Sequence, residues 1–121
     1  MVEDHALNVM VAREVLSAAI PGVTIDVALN GLEAVEMTAT KRYDVILMDV
    51  QMPMMDGYEA TRIIRAREAG HKPVPIIGVT ANVMPTELER CMEAGMNGHL
   101  TKPFTREELM EVVGKALFKG R

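Results

Sequence analysis

Apolar and polar positions follow two rhythms that take turns along the chain. Met1-Val2-Glu3-Asp4 opens with two apolar residues and two acids. Ala6 to Ala19 then carries Leu7, Met10, Val11, Val15 and Leu16 at helical spacing, and Pro21-Gly22 stops that helix. Val23 to Leu29 alternates, with Val23, Ile25, Val27 and Leu29 on one side and Thr24 and Asp26 on the other, which predicts a strand. Asn30-Gly31-Leu32-Glu33 reads as a cap for a helix running to about Lys41. Val45 to Met48 is a continuous apolar run, short and rich in branched side chains, and so a strand buried on both faces. It ends on a carboxylate, Asp49, followed by the loop and turn signals Pro53 and Asp56-Gly57.

The second half repeats the exchange. Gly57 to about Glu68 is amphipathic, with Ala60, Ile63 and Ile64 inward and the arginines outward. Gly70, Pro73 and Pro75 punctuate a loop. Ile76 to Thr80 is another buried strand with a polar end. Pro85 suits the first turn of the next helix, which carries Leu88, Cys91 and Met92 and closes at Gly95. Gly98 to Thr101 is a short strand ending at Lys102-Pro103. Thr105-Arg106-Glu107-Glu108 is a capping box before a last helix with Leu109, Val112, Val113 and Leu117. Strands that alternate with helices imply a doubly wound α/β fold, a parallel sheet with helices on both faces. No boundary divides residues 1–121, so the chain reads as one domain.

Composition narrows the function. A formal net charge of -4, with no basic stripe, argues against direct nucleic acid binding. No run approaches the length of a membrane span, no signal peptide is visible, and a cytoplasmic location follows. Cys91 is the single cysteine, which excludes an intrachain disulfide and a cysteine metal cluster. The 11 methionines read as core filler and loop plugs.

Several strands end in polar residues, and in an open parallel sheet those ends converge on one edge, where ligands bind. The converging groups are Glu3, Asp4, Asp49, Thr80 and Lys102. Three carboxylates in one place repel one another, and a hard divalent cation with oxygen ligands, Mg²⁺, resolves that. A lysine and a hydroxyl complete a pocket for a phosphoryl group. Asp49 then serves as a carboxylate nucleophile toward phosphorus.

These residues resemble the receiver domain of two-component response regulators. The resemblance rests on the Glu3-Asp4 pair, Asp49 followed by Met52-Pro53 and Asp56-Gly57, Val79-Thr80-Ala81, and Leu100-Thr101-Lys102-Pro103-Phe104. The wording around Asp49, with Thr80-Ala81-Asn82-Val83-Met84 and Glu93-Ala94-Gly95-Met96, is most similar to receivers of hybrid sensor histidine kinases. It implies a five-stranded flavodoxin-like sheet in the order 2-1-3-4-5, with the strand before Glu3 in the middle. It implies that Asp49 takes a phosphoryl group from a phosphohistidine on a histidine kinase or histidine phosphotransfer domain. Asp4 would bind Mg²⁺ directly, Glu3 through water, and the backbone carbonyl of Gln51 would be a further ligand. Lys102 would pair with the phosphoryl group beside a cis Lys102-Pro103 bond, and Thr80 would swing toward it and report to the last helices. His99 stands where the family usually has Tyr or Phe. That leaves two readings open: a muted, pH-sensitive or relay-adapted switch, or a partly exposed strand residue without a switch role.

Two other functions fit these residues less well. An aspartyl phosphatase wants a second Asp two residues after the nucleophile; Gln51 stands there, so the expectation is a phosphoacceptor with autophosphorylation and autodephosphorylation only. A degenerate receiver that merely binds partners is disfavoured by Asp49, Thr80 and Lys102. Asp56 reads as a turn residue, His5 and His71 as surface residues, and Cys91 as a helix residue without redox work. Met52, Met54 and Met55 read as loop packing, and Arg62, Arg65 and Arg67 as a solvated helix face. A middle strand wants roughly five residues, whereas Met1 and Val2 alone precede the acids. Either ordered upstream residues are absent from this chain or it is a truncated or mis-started copy. If it begins at Met1, the expectation is a stub of a first strand, lower stability and weaker Mg²⁺ binding, with strand exchange into a dimer as one outcome.

Overall fold

The structure is a computed structural model, and it describes all residues except 3–5, 51–54, 69–72, 82–83, 103 and 120–121. The elements in chain order are α1 (Ala6–Ala19), α2 (Gly31–Thr40), β1 (Ile46–Asp49), α3 (Gly57–Arg67), β2 (Ile76–Thr80), α4 (Pro85–Ala94), β3 (Gly98–Thr101) and α5 (Arg106–Lys119). Among the described residues, no helix is long and apolar enough to cross a membrane.

The three strands pair in parallel in the order β1-β2-β3. Two further positions complete the expected order as single bridges. Val2 lies between Ala28 and Met48 and bridges both in parallel. Its N–H donates to the Leu47 carbonyl at 2.8 Å, and the Ala28 N–H donates to the Met1 carbonyl at 2.9 Å. This is the flavodoxin-like order 2-1-3-4-5, with the first two positions present as single bridges among the described residues. The described part of the first strand is Met1-Val2, which offers Val23–Leu29 one bridge and no ladder. The alternation read in Val23–Leu29 is corrected: Leu29 is 56% exposed, while Ala28 is buried.

Alternate residues of each strand serve two cores, because side chains along a strand point to opposite faces. Ile46, Met48 and Ile76 pack with Ala34, Val35, Tyr58, Ile64, Cys91 and Met96 of the α2–α3–α4 side. Leu47, Ile77, Val79 and Leu100 pack with Ala12 and Leu16 of α1 and Leu109 and Val113 of α5. Burying side chains as large as Met48, Ile76 and Leu109 stabilises the fold by about 2 kcal/mol each. Two expected core residues face outward: Met10 is 65% exposed and Met92 64%. Val11 is also exposed, and among the described side chains of α1 the buried positions are Ala12 and Leu16. The apolar stripe of each helix is therefore narrower than its apolar content.

The helix ends follow the chemistry of their caps. Asn30 Oδ1 accepts from the Glu33 N–H at 2.9 Å. Thr105 and Glu108 exchange reciprocal bonds, 3.1 Å to the Thr105 hydroxyl and 3.2 Å to the Glu108 carboxylate. Pro85 occupies the first turn of α4, and Gly95 ends that helix at φ 106, a left-handed conformation that favours glycine.

Candidate functional site

Asp49 is the last residue of β1 and is 4% exposed, a carboxylate carried to the strand tip by the apolar run behind it. Its backbone N–H donates to the Val2 carbonyl at 3.1 Å. Thr80 ends the neighbouring strand β2 and is 1% exposed. It is in register with Thr101, the last residue of β3. Lys102 follows directly. Its backbone N–H donates to the Thr80 carbonyl at 2.8 Å, and its Nζ reaches Asp49 Oδ2 at 2.7 Å. Three adjacent strand tips thus bring an acid, a hydroxyl residue and an ammonium to one edge.

Gly57 lets the next helix start close to that edge. A Cβ at Gly57 would lie 2.4 Å from the Asp49 carbonyl oxygen and 2.9 Å from the Val50 Cα, both backbone atoms. Asp56 caps α3, its carboxylate accepting from the Glu59 N–H at 2.9 Å, which fits the turn role expected of it. His99 is exposed on β3, opposite Gly78. Cys91 is buried, and burial pushes its thiol pKa up, as suits a packing residue.

Glu3, Asp4 and Gln51 lie outside the described residues, as do His5, Met52, Met54, His71 and Pro103. Among the described residues no group of three acids, histidines or cysteines could hold a metal ion. What is described of the site still fits a hard cation, because a strand-tip carboxylate offers oxygen and nothing softer.

Sequence reasoning missed what Arg65 does. Instead of belonging to a solvated face, it donates to the carbonyls of Gly95 and Val74, both at 2.8 Å, and to Glu68 Oε1 and Asn97 Oδ1, both at 2.6 Å. Arg67 also turns back, donating to the Val35 carbonyl at 2.9 Å. The signal was present in Glu68, a carboxylate three residues on from Arg65 at the helix end. A second missed pair is Tyr58 and Glu87, which join α3 to α4 through a hydrogen bond.

A parallel α/β sheet with an acid, a hydroxyl and a lysine on adjacent tips defines a phosphoryl-accepting class of domain. The family model for the response regulator receiver domain matches residues 1–114, and the chain belongs to that family. It is a receiver domain of two-component signalling. The two-component response regulator ORR41 of Oryza sativa subsp. japonica is 39% identical over 117 residues, covering 95% of this chain and 90% of that protein. Hybrid signal transduction histidine kinase K of Dictyostelium discoideum is 38% identical over 121 residues, 95% of this chain but 10% of that kinase. Among solved structures, the receiver domain of sensor histidine kinase PA1611 from Pseudomonas aeruginosa PAO1 has a magnesium ion coordinated in its active-site cleft. It matches with TM-score 0.85 and 42% identity, over 97% of this chain and 93% of that one.

Proposed function

We infer that Asp49 is the phosphoacceptor of this receiver domain and takes its phosphoryl group from a phosphohistidine. The observation that carries the reading is the 2.7 Å contact between Lys102 Nζ and Asp49 Oδ2 at the tip of a buried strand. An Asp49 carboxylate oxygen attacks phosphorus, the N–P bond of the donor breaks, and its electron pair returns to the imidazole. Lys102 follows the oxygens of the transferring group, and Thr80 donates to one of them. Mg²⁺, when bound, supplies further positive charge to those oxygens. Asp49, Asp4, Glu3 and the Gln51 carbonyl would hold it, as the family resemblance implies.

The donor is a histidine phosphotransfer domain or the kinase itself. The receiver domain of Ssk1 from Saccharomyces cerevisiae, solved in complex with the phosphotransfer protein Ypd1, matches with TM-score 0.83 and 27% identity over 98% of this chain, which supports that choice. So does the exposed apolar surface at the same edge of the sheet. Leu29 and Leu32 flank the start of α2, Met84 caps α4, and Met10 lies in the first half of α1, all exposed. The domain turns over no separate substrate.

Incubation with Mg²⁺ and acetyl phosphate, followed by intact mass, tests this. One phosphoryl group per chain is expected in the wild type and none in Asp49→Asn. Incorporation into Asp49→Asn, or sustained hydrolysis of the donor at enzymatic rates, would sink the reading.

A further inference from the structure

Tyr58 is a buried residue that phosphoacceptor chemistry does not use. It is the second residue of α3 and is 3% exposed. Its hydroxyl donates to Glu87 Oε1 in the first turn of α4. The Arg90 guanidinium lies over its ring, 4.5 Å from the centroid, and Cys91 is buried in the same core. Burial first, and then the bond to Glu87, push the Tyr58 pKa far up, so the phenol keeps its proton and remains the donor.

The position of this pair matters more than its strength. Residue 57, the neighbour of Tyr58, starts α3 against the Asp49 carbonyl. Glu87 and Leu88 donate their backbone N–H groups to the Met84 carbonyl at 2.9 and 3.2 Å, closing the first turn of α4. That turn begins five residues after Thr80. One side-chain hydrogen bond therefore ties together the two helices that leave the strand tips bearing Asp49 and Thr80. It is made while Lys102 pairs with the Asp49 carboxylate, the arrangement of the unmodified acid.

We propose that Tyr58 and Glu87 form a latch that holds the start of α4 in the arrangement of unmodified Asp49, so that phosphoryl uptake works against it. Both are positioning residues, and the proposal rests on the phosphoacceptor reading of Asp49. A restraint made in one of two states biases the equilibrium by its own free energy, and releasing it favours the other state.

The test is a titration of Tyr58→Phe, Glu87→Ala and the double variant with beryllofluoride and Mg²⁺, read by chemical shifts. Each single variant is expected to raise the apparent affinity roughly three- to tenfold, the range of one ordinary net hydrogen bond. The double variant gains no more than the better single, because both remove the same contact. Glu87→Gln keeps an acceptor oxygen and stays near wild type. Unchanged or weaker binding in the single variants, or gains that multiply in the double, overturn the latch; a purely structural role lowers the melting temperature without raising affinity. Amide hydrogen exchange at Glu87 and Leu88, without beryllofluoride, is an independent readout. Exchange accelerates in Tyr58→Phe if the latch holds α4, and equal exchange overturns it. A wild type that ignores beryllofluoride sinks the phosphoacceptor reading and with it the coupling to phosphoryl uptake, and the exchange result then decides only whether the pair holds α4.

Discussion

Arg65 and Lys102 occupy opposite ends of the same sheet. At the amino ends of β2 and β3, Arg65 donates to two carbonyls, a carboxylate and an amide oxygen. Asn97 Oδ1 accepts at once from Arg65 and from the Ile76 N–H, and Glu68 Oε2 takes the Val74 N–H at 2.7 Å. At the carboxyl ends, Lys102 reaches the carboxylate of Asp49, a group whose charge a phosphoryl transfer would rearrange. One end is a planar fork locked onto fixed backbone. The other is an ammonium on a flexible stem, able to follow an oxygen that moves. The same pairing of base and acid braces the fold at one end and, on the proposed function, would serve transfer at the other.

Replacing each base by alanine sharpens the contrast. Lys102→Ala is expected to lower the rate of phosphoryl uptake by roughly 10²–10³-fold, the usual loss when a group that stabilises developing charge is removed. Arg65→Ala is expected to leave that rate within about threefold, since its contacts lie at the far end of the sheet. Uptake kinetics with acetyl phosphate and Mg²⁺ measure both. Comparable losses in the two variants would erase the functional distinction between the ends.

Gly57→Ala breaks the comparison from the backbone side. The added methyl meets the Asp49 carbonyl oxygen at 2.4 Å and the Val50 Cα at 2.9 Å, and neither can swing away as a side-chain tip can. About 3 kcal/mol of destabilisation is expected, together with displacement of the Asp49 tip. Urea unfolding and beryllofluoride binding should both report it. A variant with wild-type stability would mean that α3 can start farther from β1.

Arg65→Ala should then act on stability alone. Losing its hydrogen bonds to Gly95, Val74, Glu68 and Asn97 leaves several acceptors that water can reach only in part. About 2 kcal/mol is expected, a fall of roughly 6–10 °C in melting temperature for a domain of this size. A melting temperature within about 2 °C of wild type would reduce the brace to a surface ion pair.

The sequence made some of this legible and hid the rest for identifiable reasons. Helix limits were readable where one residue type fixes them: side-chain caps at Asn30 and Thr105, the proline ring at Pro85 and the left-handed backbone at Gly95. The buried strands were readable because Ile46–Met48 and Ile76–Val79 are apolar on both faces and both faces are covered. Asp49 and Thr80 were readable because a polar residue ending such a run has one place to go, and Lys102 because it directly follows the next strand. Val23–Leu29 misled, since period-two alternation reports a preference for extended backbone and not whether a partner ladder exists. Arg65 misled because a long cation on a polar helix face looks solvated until two other loops arrive beside it. Tyr58 and Glu87 sit 29 residues apart, and no local pattern links them.

The smallest effect lies at a third polar group, under the amino end of β1. The Tyr43 hydroxyl donates to Asp26 Oδ2 at 2.7 Å, and Lys41 reaches the same oxygen at 2.8 Å. Burial first, and then the bond to Asp26, push the Tyr43 pKa from its ordinary 10 up to about 12. The fold thus favours the protonated phenol. Its contribution is complete below the ordinary tyrosine pKa and is lost as pH rises through about 12. The difference between wild type and Tyr43→Phe isolates the phenol. Urea midpoints measured from pH 9 to 12 should fall more steeply in the wild type than in the variant. Parallel curves would show that Tyr43 ionises as freely in the fold as out of it. The amino-end contacts would then be divided: Arg65 would remain a brace, while the Asp26 group would be a surface cluster that adds nothing to the fold.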